Sequence, residues 1–294
     1  MQMKSRGYWL VLIAACLWGT NGTAQALAPQ GAQPLIIGAL RIALGGLTLL
    51  LIAGLRGALS DRRRWAFVPT VIGALSIAAY QVFFFAGVAR TGVAIGTIVG
   101  IGSTPILAGP IGFLVRGERP TRRWAFATVL GIIGCALLIV VGEDIHIDLL
   151  GIFLAICAGG SYAVFTTVSK GLIDEHPPEA VMAMTFCLGA LFTLPLLFGA
   201  DLRWLAQPAG YLVIIHLGII TAAIGYTLYA QGLRLIPVAT TATLTLAEPL
   251  TAGLLGVFFL HEILTLPAFL GILLIFAGLA VLTTEKSQPE PSIV

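Results

Sequence analysis

Ten runs of about twenty apolar residues follow one another along the chain, and they constrain the fold more than any other feature. A bilayer core of about 30 Å takes roughly 20 residues of helix to cross. Runs of that length lie near 8–28, 34–54, 66–88, 93–115, 124–142, 149–169, 179–199, 211–232, 238–260 and 266–284. The connections are short and carry turn or breaker chemistry: Pro29, the Asp61–Arg64 run, Pro120, Pro177-Pro178, Pro208 and Pro237. No connection leaves room for a soluble domain. Only 10% of residues are charged and mean hydropathy is +1.01, too little charge to cover a water-exposed surface. A net charge of +3 is too small to suggest a nucleic-acid partner, so the expected surroundings are lipid.

Lysine and arginine resist translocation, so their distribution among the loops orients the chain. With the N-terminus in the cytoplasm, thirteen fall on the inner side, from Lys4 and Arg6 to Lys286, and only Arg90 and Arg203 on the outer side. Both termini are therefore expected inside a bacterial-type inner membrane. The first run carries Asn21 and Gln25 and lacks a small-residue cleavage site, which predicts a retained helix. Cys16, Cys135, Cys157 and Cys187 all sit in apolar runs without metal-ligand spacing and read as small core residues. Beyond Thr284, Pro289 and Pro291 predict a disordered tail.

The chain also matches itself. At an offset of 144, Pro34 meets Pro178, Gly45 meets Gly189, Pro105 meets Pro249 and Gly109 meets Gly253. Gly112 then meets Gly256, Glu118 meets Glu262, Thr121 meets Thr265 and Gly134 meets Gly278. Gly87 and Gly232 match at 145, and the first spans align loosely near Gly19 and Gly160. Five spans per half is an odd number, so the second half enters from the opposite side. The expected fold is all-α integral membrane, ten transmembrane helices as two inverted five-helix repeats, residues 1–145 and 146–285, with a tail from 286 to 294. Inverted repeats are the usual plan of alternating-access carriers, with the substrate held near the midplane.

These residues resemble the drug/metabolite transporter superfamily in its EamA-type branch. Ala247-Glu248-Pro249-Leu250 carries the strongest likeness, followed by Gly253, Gly256, Glu262 and the Gly271–Gly278 helix. Leu17-Trp18-Gly19-Thr20-Asn21 and Arg41 also look like that family's pattern. The resemblance covers essentially the whole chain and implies a ten-helix metabolite carrier. The aromatic faces are similar to those of the bacterial aromatic amino-acid exporters.

Polar residues at bilayer depth usually face the bundle interior, so helical spacing selects candidate pore faces. Trp18, Asn21 and Gln25 form one stripe in span 1; Ser76, Tyr80 and Phe84, with Gln81 beside them, form another in span 3. Span 6 offers Tyr162, Thr166 and Ser169, span 8 Thr221, Gly225, Tyr226 and Tyr229, and span 9 Thr241, Thr245 and Glu248. The expected substrate-binding set is Trp18, Asn21, Tyr80, Gln81, Phe84, Ser103, Tyr162, Tyr226, Tyr229 and Glu248. The competing expectation for each lone Ser or Thr is a bond to its own helix backbone. Tyr8, Trp9, Trp65, Trp124, Trp204 and Tyr211 lie at span ends and are assigned to the interfacial belt. Gly92, Gly96, Gly100, Thr104, Ala108 and Gly112 recur every fourth residue, a seam for close helix packing. Pro105 and Pro249 are expected to kink their helices and act as gating points.

Arg41 and Glu248 are the charges deep within spans. Glu248 suits a substrate amine or a proton; a structural pair with Arg41 is the alternative. Glu118 and Glu262 are expected to cap helices or anchor at the interface. His146, His176 and His261 fall in loops and His216 near an interface, where surface or core roles are expected.

The function expected is a secondary carrier that exports amino acids, aromatic ones included, or related amphipathic metabolites. Export of drugs or other metabolites is the alternative ligand class. An intramembrane enzyme would need a nucleophile–base or metal cluster at membrane depth, and no such motif occurs. A channel would need a filter loop or oligomeric ring. A pump would need a phosphate-binding loop. No cofactor, catalytic residue or metal site is expected, and a monomer is expected to suffice.

Overall fold

The computed structural model describes residues 2–60, 65–139, 148–259 and 265–284, and all of its regular elements are helical. The Asp61–Arg64 run, His146, His261, Glu262, Lys286 and the expected tail lie outside the described residues.

Span 1 is α1 (Gln2–Gly19) followed by α2 (Asn21–Ala26). Span 2 is α3 (Pro34–Leu55), where proline in the first turn forfeits an amide that has no helical partner anyway. Spans 3 and 4 together form α4 (Phe67–Arg116). The chain reverses within it: a Cβ built on Gly100 would lie 3.2 Å from the Phe84 ring, and one on Gly96 2.8 Å from the Val88 backbone. Gly117, at φ +69°, ends α4 in the left-handed conformation that favours glycine. α5 (Arg122–Ile139) follows.

The second half begins with α6 (Leu149–Glu175), capped by Asp148, whose Oδ1 accepts the Gly151 N–H at 2.9 Å. α7 (Pro178–Thr193) is span 7. Span 8 is α8 (Pro208–Ile215), a widened π-helical stretch at His216–Ile224, and α9 (Gly225–Leu235). Span 9 divides into α10 (Val238–Leu244) and α11 (Ala247–Phe259), and span 10 is α12 (Leu266–Thr283). Among the described residues seven stretches are long and apolar enough to cross a membrane. The interrupted first and ninth spans and α5, which opens on two arginines, make up the ten.

The inverted repeat is visible in how the helices touch. A Cβ on Gly232 of α9 would lie 2.9 Å from the Gly7 carbonyl oxygen of α1. The repeat mates do the same, with Gly87 of α4 placing a Cβ 3.1 Å from the Gly151 carbonyl of α6. In α5, Gly134 abuts the Gly271 carbonyl of α12 at 2.7 Å; its mate Gly278 abuts the Ala127 carbonyl at 2.8 Å. Gly45 of α3 meets Ala222, and its mate Gly189 of α7 meets Ile77. Because lipid offers no hydrophobic drive between helices, association rests on such close backbone approaches.

Three expectations need correction. Trp9 and Tyr211 are exposed at span ends, but Tyr8 and Trp204 are buried. Trp65 stacks on His176 at 4.1 Å, and Trp124 donates Nε1–H to the Ala239 carbonyl at 2.9 Å, so helix packing claims rings expected in the belt. Cys16 faces outward rather than into the core. The two prolines expected to kink their helices, Pro105 and Pro249, also differ. α4 continues through Pro105, whereas span 9 breaks at Thr245–Leu246 and Pro249 stands third in α11, where no helical amide is needed.

Candidate functional site

The broken spans 1 and 9 and the start of α9, just after the π-helical stretch, converge on one cavity. Its walls are Trp18, Asn21, Arg41, Tyr80, Ile101, Thr104, Tyr162, Tyr226, Thr245 and Glu248, drawn from both halves. The free space is small, about 30 Å³, room for two or three waters at roughly 10–15 Å³ each.

Local chemistry explains why these side chains arrive there. α1 stops where Thr20 bonds back to the Leu17 carbonyl at 2.6 Å, while its Oγ1 also sits 2.8 Å from His216 Nε2. That stop sets Trp18 and Asn21 on either side of a helix break. The Trp18 indole donates to the Thr221 carbonyl at 2.8 Å, an acceptor inside the widened π-helical stretch. Gly225 leaves the space the indole occupies, since a Cβ there would lie 2.7 Å from Trp18 Nε1. In span 9 the break brings Glu248 into the first turn of α11, at the cavity wall.

The aromatic wall is continuous. Trp18 lies 4.6 Å from Tyr226 and 5.3 Å from Tyr229, ring centre to ring centre. Tyr80 lies 5.1 Å from Tyr162, and Tyr162 meets Trp18 edge-on at 6.4 Å. The polar side holds two opposite charges. Among the described residues Arg41 and Glu248 form no ion pair with each other, although both line the cavity. Arg41 Nε and Asn21 Oδ1 are buried without a hydrogen-bond partner among the described residues. A buried polar group left unmatched is costly, and these two atoms retain unused hydrogen-bonding capacity.

Of the ten residues expected to bind substrate, the structure gathers Trp18, Asn21, Tyr80, Tyr162, Tyr226 and Glu248 on the wall. The other four stand behind it. Tyr229 is fully buried and shares a 2.7 Å hydrogen bond with Thr166. Phe84 packs on Tyr80 at 5.7 Å, and Ser103 bonds the Gly100 carbonyl at 3.2 Å. Gln81 turns toward α3, its Nε2 3.1 Å from a Cβ built on Gly38. Arg41 and Thr245 stand out in the sequence as an in-span charge and a helix-face hydroxyl, and Thr104 as part of the small-residue seam, all outside the expected set. Ile101 carried no signal at all. Thr104, Thr221, Thr241 and Thr245 all bond their own helix backbone, as lone threonines in spans ordinarily do.

The basic end of the bundle is cross-tied between halves. Arg56 of the first half pairs with Glu179 of the second at 2.6 Å, and Gln231 donates to the same carboxylate at 2.7 Å. Arg116 pairs with Asp174 at 2.6 Å and with Glu118 at 3.1 Å. Glu118 caps α10 by accepting the Val238 N–H at 2.7 Å, the capping role expected of it. At the other end, the inter-half ties among the described residues include Arg90–Asp148 at 3.1 Å and Thr20···His216.

The sequence profile of the EamA-like transporter family matches this chain twice, over residues 5–140 and 149–284. The chain belongs to the EamA-like transporter family. An uncharacterized transporter of Bacillus subtilis (strain 168), YwfM, is 42% identical over 289 residues, 98% of this chain and 97% of its own length. The threonine/homoserine exporter RhtA of Escherichia coli (strain K12) is 30% identical over 266 residues, covering 87% of this chain and 83% of its own. A solved crystal structure superposes with a TM-score of 0.82 over 94% of this chain and 95% of its own, at 20% identity, which establishes the shared fold. The chain is thus an EamA-type member of the drug/metabolite transporter superfamily and a multi-pass bacterial-type membrane protein.

Proposed function

We propose that the chain is a secondary carrier that exports zwitterionic amino acids, aromatic ones included, across the inner membrane by alternating access. One observation carries the reading: Arg41 and Glu248 line a single aromatic-walled cavity without pairing, and Arg41 Nε lacks a partner among the described residues. An α-amino acid presents a carboxylate and an ammonium on one carbon, the complement of such a wall. The aromatic rings suit an apolar side chain. Export is supported by the relationship to a protein named as an amino-acid exporter. Residues 1–145 and 146–285 are the units that rock about the cavity. With its narrow volume and cross-tied basic end, the structure fits an occluded stage, and rocking widens the site. The sorting of Lys and Arg supports cytoplasmic termini.

Purified protein in liposomes, assayed by counterflow, tests this directly. Zwitterionic amino acids should exchange, and their amides and decarboxylated amines should not. Arg41→Gln and Glu248→Gln each remove a charge-assisted contact of about 1.5–3 kcal/mol, so flux should fall on the order of 10- to 100-fold. Trp18→Ala and Tyr80→Ala should also reduce flux while the protein still inserts. Failure of every amino acid to move would reject the substrate class; full flux in all four variants would reject the cavity as the site.

A further inference from the structure

A second cavity is larger than the central one. About 220 Å³ opens at the basic end between the first turns of α1, the 117–121 connection with the first turn of α5, the start of α10 and the end of α12. It shares no lining residue with the central cavity. The Trp124–Ala239 bond and the 2.7 Å Thr128–Thr243 contact lie between α5 and α10 nearby.

Its chemistry is that of an anion site. Lys4, Arg119 and Arg123 surround the space from two separate segments of chain. Among the described residues Lys4 and Arg119 form no ion pair. Arg123 is positioned by donating Nη2–H to Thr284 Oγ1 at 2.7 Å. Thr121, also on the wall, caps α5 by accepting the Trp124 N–H at 3.1 Å, so the positive end of an eighteen-residue helix opens here. One carboxylate lines the cavity, Glu118, but Arg116 and the Val238 N–H already engage it. Its charge is compensated, and among the described residues Lys4, Arg119 and Arg123 have no carboxylate partner. Tyr8, Trp124 and Leu282 give the cavity an apolar side.

We infer that this cavity binds a phosphate group, with Lys4, Arg119 and Arg123 as its ligands. Guanidinium forks fit phosphate oxygens in pairs, and basic pockets between membrane helices recruit anionic headgroups. The group is either the headgroup of an anionic lipid, its acyl chains along the apolar side, or a free phosphate ion. The site stands independently of the substrate proposed for the central cavity.

The full-length protein in detergent is titrated with phosphatidylglycerol, with phosphatidylcholine and with inorganic phosphate, and binding is followed by native mass spectrometry and by melting temperature. Saturable binding of phosphatidylglycerol over phosphatidylcholine is expected, weakened tenfold or more in the K4Q/R119Q double variant. Neither side chain makes a described hydrogen bond, so this variant leaves the helix packing intact. Arg203→Gln, a basic residue at the other end, should leave binding unchanged. Stabilisation by inorganic phosphate alone, abolished by the same double variant, would assign the site to the free ion. Equal binding of phosphatidylcholine, or undiminished binding of both phosphate sources in the double variant, would overturn it.

Discussion

Gly7 and Gly232 meet backbone to backbone, so that a methyl group on Gly232 would lie 2.9 Å from the Gly7 carbonyl and 2.6 Å from Val11. Their repeat mates, Gly151 and Gly87, reproduce the contact in the other half, with a Gly87 methyl 3.0 Å from the Ala155 amide nitrogen. Two crossings related by inversion carry the same constraint.

Gly232→Ala and Gly87→Ala should therefore each destabilise the bundle, by about 1–3 kcal/mol as the helices are forced apart. Gly54→Ala, whose added methyl would meet only Leu59 at 3.9 Å, should be neutral or slightly stabilising. Melting temperatures in detergent check the order. Equal melting of all three variants would show that the crossings have slack.

Lys170 is buried and donates Nζ–H bonds to the Leu233 and Ile236 carbonyls at 2.7 and 2.9 Å, where α9 ends. Lys170→Met keeps much of the stem and leaves those carbonyls unmatched. A loss of about 1.5–3 kcal/mol is expected, against little change for Arg6→Met on the exposed start of α1. Thermal unfolding of the two variants side by side measures the difference.

Asp148, just before α6, has its carboxyl held below the ordinary carboxylate value, first by the Gly151 N–H and then by the Arg90 guanidinium. Its ionised form thus favours the folded state. That contribution is complete above the ordinary value near about pH 3.9 and is lost as pH falls through the lowered one. Asp148→Asn keeps a capping oxygen but cannot ionise. Melting of this variant should lie slightly below wild type near neutrality, with the gap closing in acid. A gap that stays constant with pH would exclude a role for the charge.

Much of the fold was legible residue by residue. Ten apolar runs and the pairing of Gly134 with Gly278 are features of the chain itself, and the structure places those two glycines at equivalent helix crossings. The candidate site was legible only by face. Spacing put Trp18 and Asn21 on one stripe and Tyr80 on another, and both stripes reach the cavity. Gln81, one residue and about 100° around the helix from Tyr80, turns to α3 instead. Tyr229 shares a face with Thr221 and Gly225, yet Thr166 and Trp18 cover it. Nothing in Ile101 distinguishes it from the other apolar residues of its span.

What the amino-acid sequence determined alone was the number of crossings, the two-fold repetition and the sorting of basic residues, because apolar length, glycine register and charge are properties of segments. Only the tertiary structure decided that Arg41 and Glu248, from opposite halves, share one cavity without pairing, and that Tyr8 and Trp204 are buried rather than interfacial. Helical periodicity says which side chains share a face. Which helix that face meets depends on backbone approaches, such as Gly7 against Gly232, between segments far apart in the chain.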